Sequence, residues 1–121
     1  MIDHLTLKVK DVRKARAFYA AALAPLGYEV LMEYEGGVGM GADKKPDLWI
    51  AQDPDNTRPT HVAFAASSRK AVDAFHAAAL AAGAKDNGKP GVRTEYHPTY
   101  YAAFVLDDDG HNIEAVVHRP E

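Results

Sequence analysis

Three side chains of types that bind metal ions lie in separate segments of the chain, and each segment alternates between apolar and other residues. Successive side chains of a β-strand point to opposite faces of the sheet, so this alternation places the apolar residues on one face. In each segment the side chain that can bind a metal points to the face opposite the apolar residues. We therefore expect these side chains to lie on sheet faces that no helix covers. They are His4 in residues 2–9, His61 in residues 60–66 and Glu114 in residues 112–118.

Two imidazoles and one carboxylate form a common ligand set for Fe(II), Mn(II), Zn(II), Ni(II) or Co(II). Such a set leaves coordination positions open for substrate and water, which favours catalysis over a structural role. A single histidine on a strand is more often an ordinary hydrogen-bonded residue. Here His4 and His61 occupy matching positions of a sequence repeat and are joined by Glu114. This combination predicts a divalent metal ion, whose identity the sequence does not specify.

The repeat has an offset of 57 residues, which is the separation of His4 and His61 (61 − 4). At this offset a helix N-cap residue, a phenylalanine and an alanine-rich run also coincide. Two copies of this length indicate a duplicated module, because a solenoid needs about three or more repeats. The coincident residues are Asp11 with Ser68, Phe18 with Phe75 and Ala20–Ala24 with Ala77–Ala81.

Each copy has the pattern of one strand, one helix and three further strands. Apolar residues recur at helical spacing over about 11–25 and 68–82, and the other periodic segments alternate as strands do. Glycines and prolines between 86 and 99 predict a long loop around a short strand. The predicted fold is α+β, with two βαβββ modules forming a half-barrel whose uncovered sheet faces line a cavity. The modules span about 1–53 and about 60–118 of a single domain, 1–121.

Composition excludes several classes of function. The 121 residues are 47% hydrophobic and 26% charged, as in an ordinary globular domain. Seventeen acidic and fourteen basic residues give a net charge of −3, so we expect no nucleic acid and no membrane as a partner. The absence of cysteine excludes disulfides, thiolate zinc sites and cysteine nucleophiles. Asp3 stands where a signal peptide has basic residues, so we expect a cytoplasmic protein.

Four segments carry a family resemblance: the opening strand with His4, Ala17-Phe18-Tyr19 leading to Pro25-Leu26-Gly27-Tyr28, Thr60-His61-Val62-Ala63-Phe64, and the hairpin from Tyr100 to Glu114. Together they resemble the vicinal oxygen chelate superfamily, the glyoxalase, bleomycin-resistance and extradiol-dioxygenase group, over essentially the whole chain. The resemblance implies the half-barrel fold, a small-molecule substrate, a homodimer, and metal ligation by His4, His61 and Glu114. It leaves open whether these ligands meet within one chain or across a dimer interface.

The resemblance also implies a fourth ligand position on the strand at 48–52, where glyoxalase I has a glutamate. Aligning this strand with residues 112–117 places Trp49 there. Asp47 has the same parity but lies about 6–7 Å away along the strand, and it stays the alternative. A tryptophan at this fourth position argues against glyoxalase I activity. It is compatible with the three-ligand pattern of extradiol dioxygenases and fosfomycin-resistance thiol transferases. Trp49 is then a wall or stacking surface of the cavity.

Other side chains are candidates for contact with the substrate. Tyr100 and Tyr101 have opposite parity in the same strand. Tyr100 shares the parity of the bulky Phe104 and Leu106, which we expect to pack under the helix. We therefore expect Tyr101 to face the cavity, where a phenol can donate a proton or bind an oxyanion. The remaining cavity candidates are Trp49 and, in the predicted long loop, His97 and Arg93.

The sequence thus predicts a metal-dependent enzyme, dioxygenase-like or lyase-like, with Glu114 and Tyr101 taking part in the reaction. Its substrate would be a small oxygen-rich molecule chelated to the divalent ion. The alternative is a metal-free protein of the bleomycin-resistance type, which sequesters a ligand in an aromatic-lined cleft. The missing fourth ligand favours the alternative, and the retention of both histidines with Glu114 favours the enzyme. A dimeric module with no small-molecule role is a third possibility.

Overall fold

The chain folds into two copies of the same unit, each a strand, an α-helix and three further strands. The computed structural model describes residues 1–56 and 58–120. The two predicted βαβββ modules are confirmed. The first contains β1 (Leu5–Val9), α1 (Val12–Leu23), β2 (Glu29–Tyr34), β3 (Gly37–Gly41) and β4 (Leu48–Gln52). The second contains β5 (His61–Ala65), α2 (Arg69–Ala81), β6 (Lys85–Val92), β7 (Tyr101–Leu106) and β8 (Asn112–Val117).

Each module forms a four-stranded mixed sheet in which the first and last strands are parallel neighbours. The strand orders are β1-β4-β3-β2 and β5-β8-β7-β6. Thr6 pairs with Trp49 in the first sheet, and Ala63 pairs with Glu114 in the second. Residues 6 and 63 are separated by the repeat offset of 57. Trp49 and Glu114 therefore occupy equivalent positions in the two modules, as the alignment of the strands predicted.

The helices begin at the N-cap residues that the repeat indicated. The carboxylate of Asp11 accepts hydrogen bonds from two main-chain N–H groups of α1, and the hydroxyl of Ser68 accepts one from α2. Such caps satisfy donors that have no partner within the helix. A short 3-10 helix, Ala24–Leu26, follows α1, and Gly27 ends it with a φ of 88°. In the described ranges no helix has the length and apolar character needed to cross a membrane.

Strand β6 corrects the prediction of a long loop around a short strand at 86–99. It extends over eight residues, although its pairing with β7 shifts register around Gly88 and Gly91. It is the edge strand of its sheet. Edge strands tolerate glycine and proline because one row of their backbone groups is not needed for pairing. The glycines and Pro90 therefore mark irregularities within a strand.

One hydrophobic core joins the two modules, and it lies on the helix-facing side of both sheets. The ring of Tyr28 packs edge-on against Phe64 of the other module, with 5.3 Å between the ring centroids. On the opposite face of the first sheet Thr6 and Lys8 are exposed, and on that of the second sheet Ala63 is exposed. The core residues from the strands are Leu7, Val9, Val38, Met40, Leu48 and Ile50 in the first sheet and Phe64, Ala103, Val105, Ile113, Ala115 and Val117 in the second.

The buried imidazole of His111 joins the modules at the end of β1. Its Nδ1 accepts a hydrogen bond from the main-chain N–H of Thr60 at 2.9 Å. Its Nε2 lies 2.8 Å from the carbonyl oxygen of Lys8. A carbonyl only accepts, so Nε2 carries the proton and the ring is the neutral tautomer. His111 has a structural role, and it fixes one module against the other.

Candidate metal centre

His61 and Glu114 lie side by side at the open face of the second sheet. Nε2 of His61 is 2.9 Å from Oε1 of Glu114. They are on the parallel neighbours β5 and β8, and Glu114 faces Phe104 across the β7–β8 ladder. The carboxylate is only 2% exposed, whereas the imidazole is 53% exposed. A buried acid with an accessible imidazole beside it provides two metal-ligand types at one point of the surface.

Tyr100 completes the hydrogen bonding of this carboxylate. Its hydroxyl donates to Oε2 of Glu114, the oxygen that His61 does not contact. Burial, and then the hydrogen bond to the carboxylate, raise the pKa of Tyr100 to about 12. The phenol therefore keeps its proton at neutral pH and acts as the donor in this bond. The two oxygens of Glu114 thus have different partners.

A small cavity opens beside these residues. Its volume is about 310 Å³, and its walls are mainly aromatic, so it can hold the apolar part of a small molecule against the acid and the imidazole. The residues that line it are His61, Tyr96, Tyr100, Phe104 and Glu114. Three of them, Tyr96, Tyr100 and Phe104, were not among the predicted site residues.

The predicted cavity residues Arg93 and His97 lie near this cavity. The guanidinium of Arg93 is 5.4 Å from the centre of the Phe104 ring. The ring of His97 is 6.2 Å from that of His118, which itself packs edge-on against Tyr100 at 5.1 Å. Arg93 has no acidic partner within ion-pair distance in the part of the chain that the structure describes. Its guanidinium donates to the carbonyl of Lys89 at 2.6 Å and brings a positive charge to the neighbourhood of the pocket.

The assignment of Tyr101 to the cavity is corrected by the structure. Its hydroxyl donates to Asp73 of α2 at 2.6 Å, and the guanidinium of Arg69 lies 4.8 Å above its ring. Tyr101 therefore belongs to the helix side of β7. On the helix side β7 presents Ala103 and Val105 together with Tyr101, whereas the bulky Phe104 lines the cavity on the open face. Tyr100 shares that open face and occupies the place expected of Tyr101.

His4 and Trp49 lie on the other sheet. Nδ1 of His4 is 2.7 Å from Oδ1 of its neighbour Asp3, and this contact lowers the pKa of the Asp3 carboxyl. The ring of Trp49 packs against Tyr34 with 5.9 Å between centroids. Asp47, the alternative fourth ligand, accepts a hydrogen bond from the hydroxyl of Tyr28 at 2.7 Å. The first sheet thus presents an aromatic surface, with the imidazole of His4 paired with Asp3 at its edge.

The three predicted ligands do not converge within a single chain. Across residues 1–56 and 58–120 no three His, Asp or Glu side chains are grouped so that they could hold one ion. The structure brings His61 to Glu114, whereas His4 lies just before β1 of the other module, exposed and paired with Asp3. Ligation by all three within one chain is therefore not supported, and ligation across two chains stays a prediction.

The comparison with known proteins agrees with this architecture. The sequence model of the Glyoxalase/Bleomycin resistance protein/Dioxygenase superfamily matches residues 1–115. The chain therefore belongs to this superfamily, as its resemblance indicated. No curated protein matches the chain.

Solved structures show the same fold. A glyoxalase/bleomycin resistance protein from Albidiferax ferrireducens T118 is 27% identical, with a TM-score of 0.83 over 95% of this chain and 97% of that chain. A glyoxalase/bleomycin resistance protein/dioxygenase family enzyme from Burkholderia phytofirmans PsJN is 17% identical, with a TM-score of 0.77 over 98% of each chain. The fosfomycin resistance protein FosX from Listeria monocytogenes, complexed with Mn(II) and dihydroxypropylphosphonic acid, is 19% identical, with a TM-score of 0.70 over 96% of this chain and 88% of that chain. The last two likenesses concern the fold alone.

Proposed function

We propose that this protein is a metal-dependent enzyme that acts on a small oxygen-rich substrate, with dioxygenase-like or lyase-like chemistry. The observation that carries the proposal is the pairing of the buried Glu114 carboxylate with the accessible imidazole of His61 at the aromatic cavity. A buried carboxylate is costly unless it is paired or binds a metal. Glu114 lies where a pocket, an imidazole and a phenol meet.

The donors present fit a divalent ion. Two ligands of one ion, each at about 2.0–2.2 Å, lie about 3 Å apart when their bonds are roughly perpendicular. Nε2 of His61 and Oε1 of Glu114 are separated by 2.9 Å. Imidazole and carboxylate suit Fe, Mn, Zn, Ni or Co, and the Listeria FosX structure contains Mn(II). When bound, such an ion would hold two oxygens of the substrate and stabilise negative charge on them.

We propose that the third ligand is His4 of a second copy of the chain. His4 stands immediately before β1 and has the parity of the exposed Thr6 and Lys8, so we assign it to the open face of the first sheet. His61 lies on the open face of the second sheet, while the core occupies the other side of both sheets. A homodimer that sets the first sheet of one copy against the second sheet of the other brings His4 to the His61–Glu114 pair. It also covers Met32 and Tyr34, large side chains of the first sheet that are 51% and 63% exposed. Each dimer then has two equivalent sites.

The pocket residues hold and orient the substrate in this proposal. The aromatic rings of Tyr96 and Phe104 exclude water from one side of it. The positive charge of Arg93, next to Phe104, attracts an anionic group of the substrate. A small molecule with an apolar part, two neighbouring oxygens and a negative charge fits this combination of aromatic walls, ligands and charge.

Metal content tests the proposal directly. Protein purified without chelator, and apoprotein reconstituted with Mn(II), Fe(II), Co(II), Ni(II) or Zn(II) in turn, would be analysed by mass spectrometry of the elements. We expect about one ion per chain in the wild type and a loss of most of it in His61→Ala. His97→Ala, an imidazole removed near the same cavity but away from Glu114, is the matched control and should retain the metal. No stoichiometric metal in any reconstituted sample would refute the proposal.

The second candidate function is metal-free sequestration of an aromatic ligand. It is favoured by the aromatic lining and by the lack of three grouped ligands in the described part of one chain. In that case the affinity for a bound ligand stays the same when EDTA is added, and Phe104→Ala weakens binding more than His61→Ala. If the site depends on a metal, EDTA weakens ligand binding, and His61→Ala weakens it more than Phe104→Ala does.

A further inference from the structure

We infer that Tyr100 is a positioning residue, which fixes the carboxylate of Glu114 so that a single oxygen is directed to a metal ion. This inference rests on the proposed metal site. It goes beyond that proposal because it assigns a specific task to a side chain that is not itself a metal ligand in the proposal.

The two oxygens of the Glu114 carboxylate have different partners. Tyr100 donates to Oε2, and His61 approaches Oε1 at 2.9 Å. Glu114 is 1% exposed, so bulk water does not replace a lost donor at its oxygens. The hydroxyl of Tyr100 therefore decides which way the carboxylate plane is turned.

Tyr100 is itself held in place by neighbouring rings and by main-chain hydrogen bonds. Its ring packs edge-on against Tyr96 at 5.0 Å and against His118 at 5.1 Å. Its main-chain N–H donates to the carbonyl of His97 at 3.1 Å, and its carbonyl accepts from Arg93 at 2.7 Å. Both the ring and the backbone are thus fixed before any metal binds. A donor prepared in this way lowers the cost of ordering the carboxylate at the moment of binding.

These contacts determine which oxygen of Glu114 is available to a metal ion. With Oε2 occupied by the phenol, Glu114 offers Oε1 alone, next to the imidazole of His61. Without the phenol, the carboxylate turns more freely, and Oε2 is left buried without a donor. Partners of metal ligands commonly contribute about 10–100-fold to metal affinity. Tyr100 is expected to contribute in that range.

The test uses a pair of neighbouring tyrosines that differ in the direction of their hydroxyls. Tyr100→Phe removes the donor to Glu114, and Tyr101→Phe removes the donor to Asp73 on the helix side. The dissociation constant for Mn(II) would be measured by electron paramagnetic resonance titration of the wild type and both variants. We expect it to rise about 10–100-fold in Y100F and to stay within about twofold in Y101F.

Visible absorption of the Co(II) forms supplies a readout of ligand geometry. We expect the band positions of Y100F to differ from those of the wild type, because the carboxylate is no longer held to one oxygen. Far-ultraviolet circular dichroism and the unfolding midpoint of the apoproteins verify that both variants fold. A wild type that binds Mn(II), together with a Y100F variant of equal affinity and equal Co(II) spectrum, overturns the inference and leaves the proposed function intact. A wild type that binds neither ion overturns both.

Discussion

The indole of Trp49 lies directly against the main chain of Gly39 in the neighbouring strand β3. A Cβ atom added at Gly39 would be 2.6 Å from Cζ3 and 2.7 Å from Cη2 of the indole. Carbon atoms do not approach so closely without displacement, so the tryptophan occupies its present place because residue 39 has no side chain. The pair forms the aromatic surface of the first sheet together with Tyr34, which lies over Gly37 in the same manner.

Gly39→Ala should displace the indole outward. Trp49 is the only tryptophan in the chain, so its fluorescence reports on this site alone. We expect a shift of the emission maximum to longer wavelength and a loss of about 1–3 kcal/mol in the free energy of unfolding through overpacking. Gly91→Ala, in the other sheet, is the control and should leave the emission unchanged, because its Cβ would meet the flexible end of Arg93 at 3.1 Å and the carbonyl of Lys89 at an ordinary 3.9 Å. Unchanged emission in Gly39→Ala would contradict the contact.

Mixing two inactive variants tests the two-chain site. His4→Ala and His61→Ala should each bind little metal as homodimers. In the proposed arrangement, a mixed dimer contains one site with both changes and one site with neither. An equal mixture that is unfolded and refolded together should therefore regain metal at about a quarter of its sites, since about half of the dimers are mixed. No recovery on mixing would mean that the ligands do not come from two chains.

His111→Ala should destabilise the protein through the junction of the modules. The substitution leaves the partly buried N–H of Thr60 and carbonyl of Lys8 without their partner. Unsatisfied groups of this kind cost about 1–3 kcal/mol each, so the free energy of unfolding should fall by about 2–6 kcal/mol, toward the lower end because water reaches part of the junction. The measurement is denaturation by urea in the presence of EDTA. His4→Ala, which removes an exposed imidazole, should change the value by less than about 0.5 kcal/mol.

Alkaline pH should weaken the fold in part through Tyr19. Burial, and then the nearby carboxylate of Asp107, raise the pKa of this phenol well above its ordinary value. Above about pH 10 the unfolded chain loses the proton of Tyr19 while the folded chain keeps it. The unfolded state then binds fewer protons, and stability falls as the pH rises, with a slope of at most about 1.4 kcal/mol per pH unit for this group.

The comparison that isolates this effect is between the wild type and Tyr19→Phe, by urea denaturation from pH 8 to 11. Other titrating groups are common to both proteins, so the wild type should show the steeper decrease. Parallel decreases would show that Tyr19 does not contribute. The contribution of Tyr19 to stability is therefore fully present below about pH 10, and it is lost as the pH rises through the pKa of Tyr19 in the folded state.

Strand parity predicted which face carries His61 and Glu114, because a two-residue period leaves only two choices and the apolar face is evident. It did not place the tyrosines, since the expectation that Phe104 packs beneath the helix was wrong and Phe104 lines the cavity instead. The hairpin offered a better guide. Its register pairs Leu106 with Asn112, and counting back along it sets Phe104 opposite Glu114. Tyr100 then has the parity of Phe104 and shares its face.

The position of His4 relative to the other ligands was beyond prediction for a different reason. Parity describes one sheet, whereas the orientation of two sheets depends on packing between modules. That packing is determined by contacts such as Tyr28 with Phe64 and His111 with Lys8, which are distant in sequence. The alternation and helical spacing within one module do not predict contacts between the two modules.

The equivalence of Trp49 and Glu114 in the duplicated sheets also bears on how such a centre can be redesigned. The first module retains the backbone position that carries the acid in the second, but it has filled that position with an indole seated on a glycine. To install an additional acidic ligand at position 49, residue 39 should be changed as well. A carboxylate at 49 would no longer cover Gly39, whose main chain would become exposed to solvent. In the first module, the position equivalent to Glu114 is therefore determined by two residues, Gly39 and Trp49, and not by one.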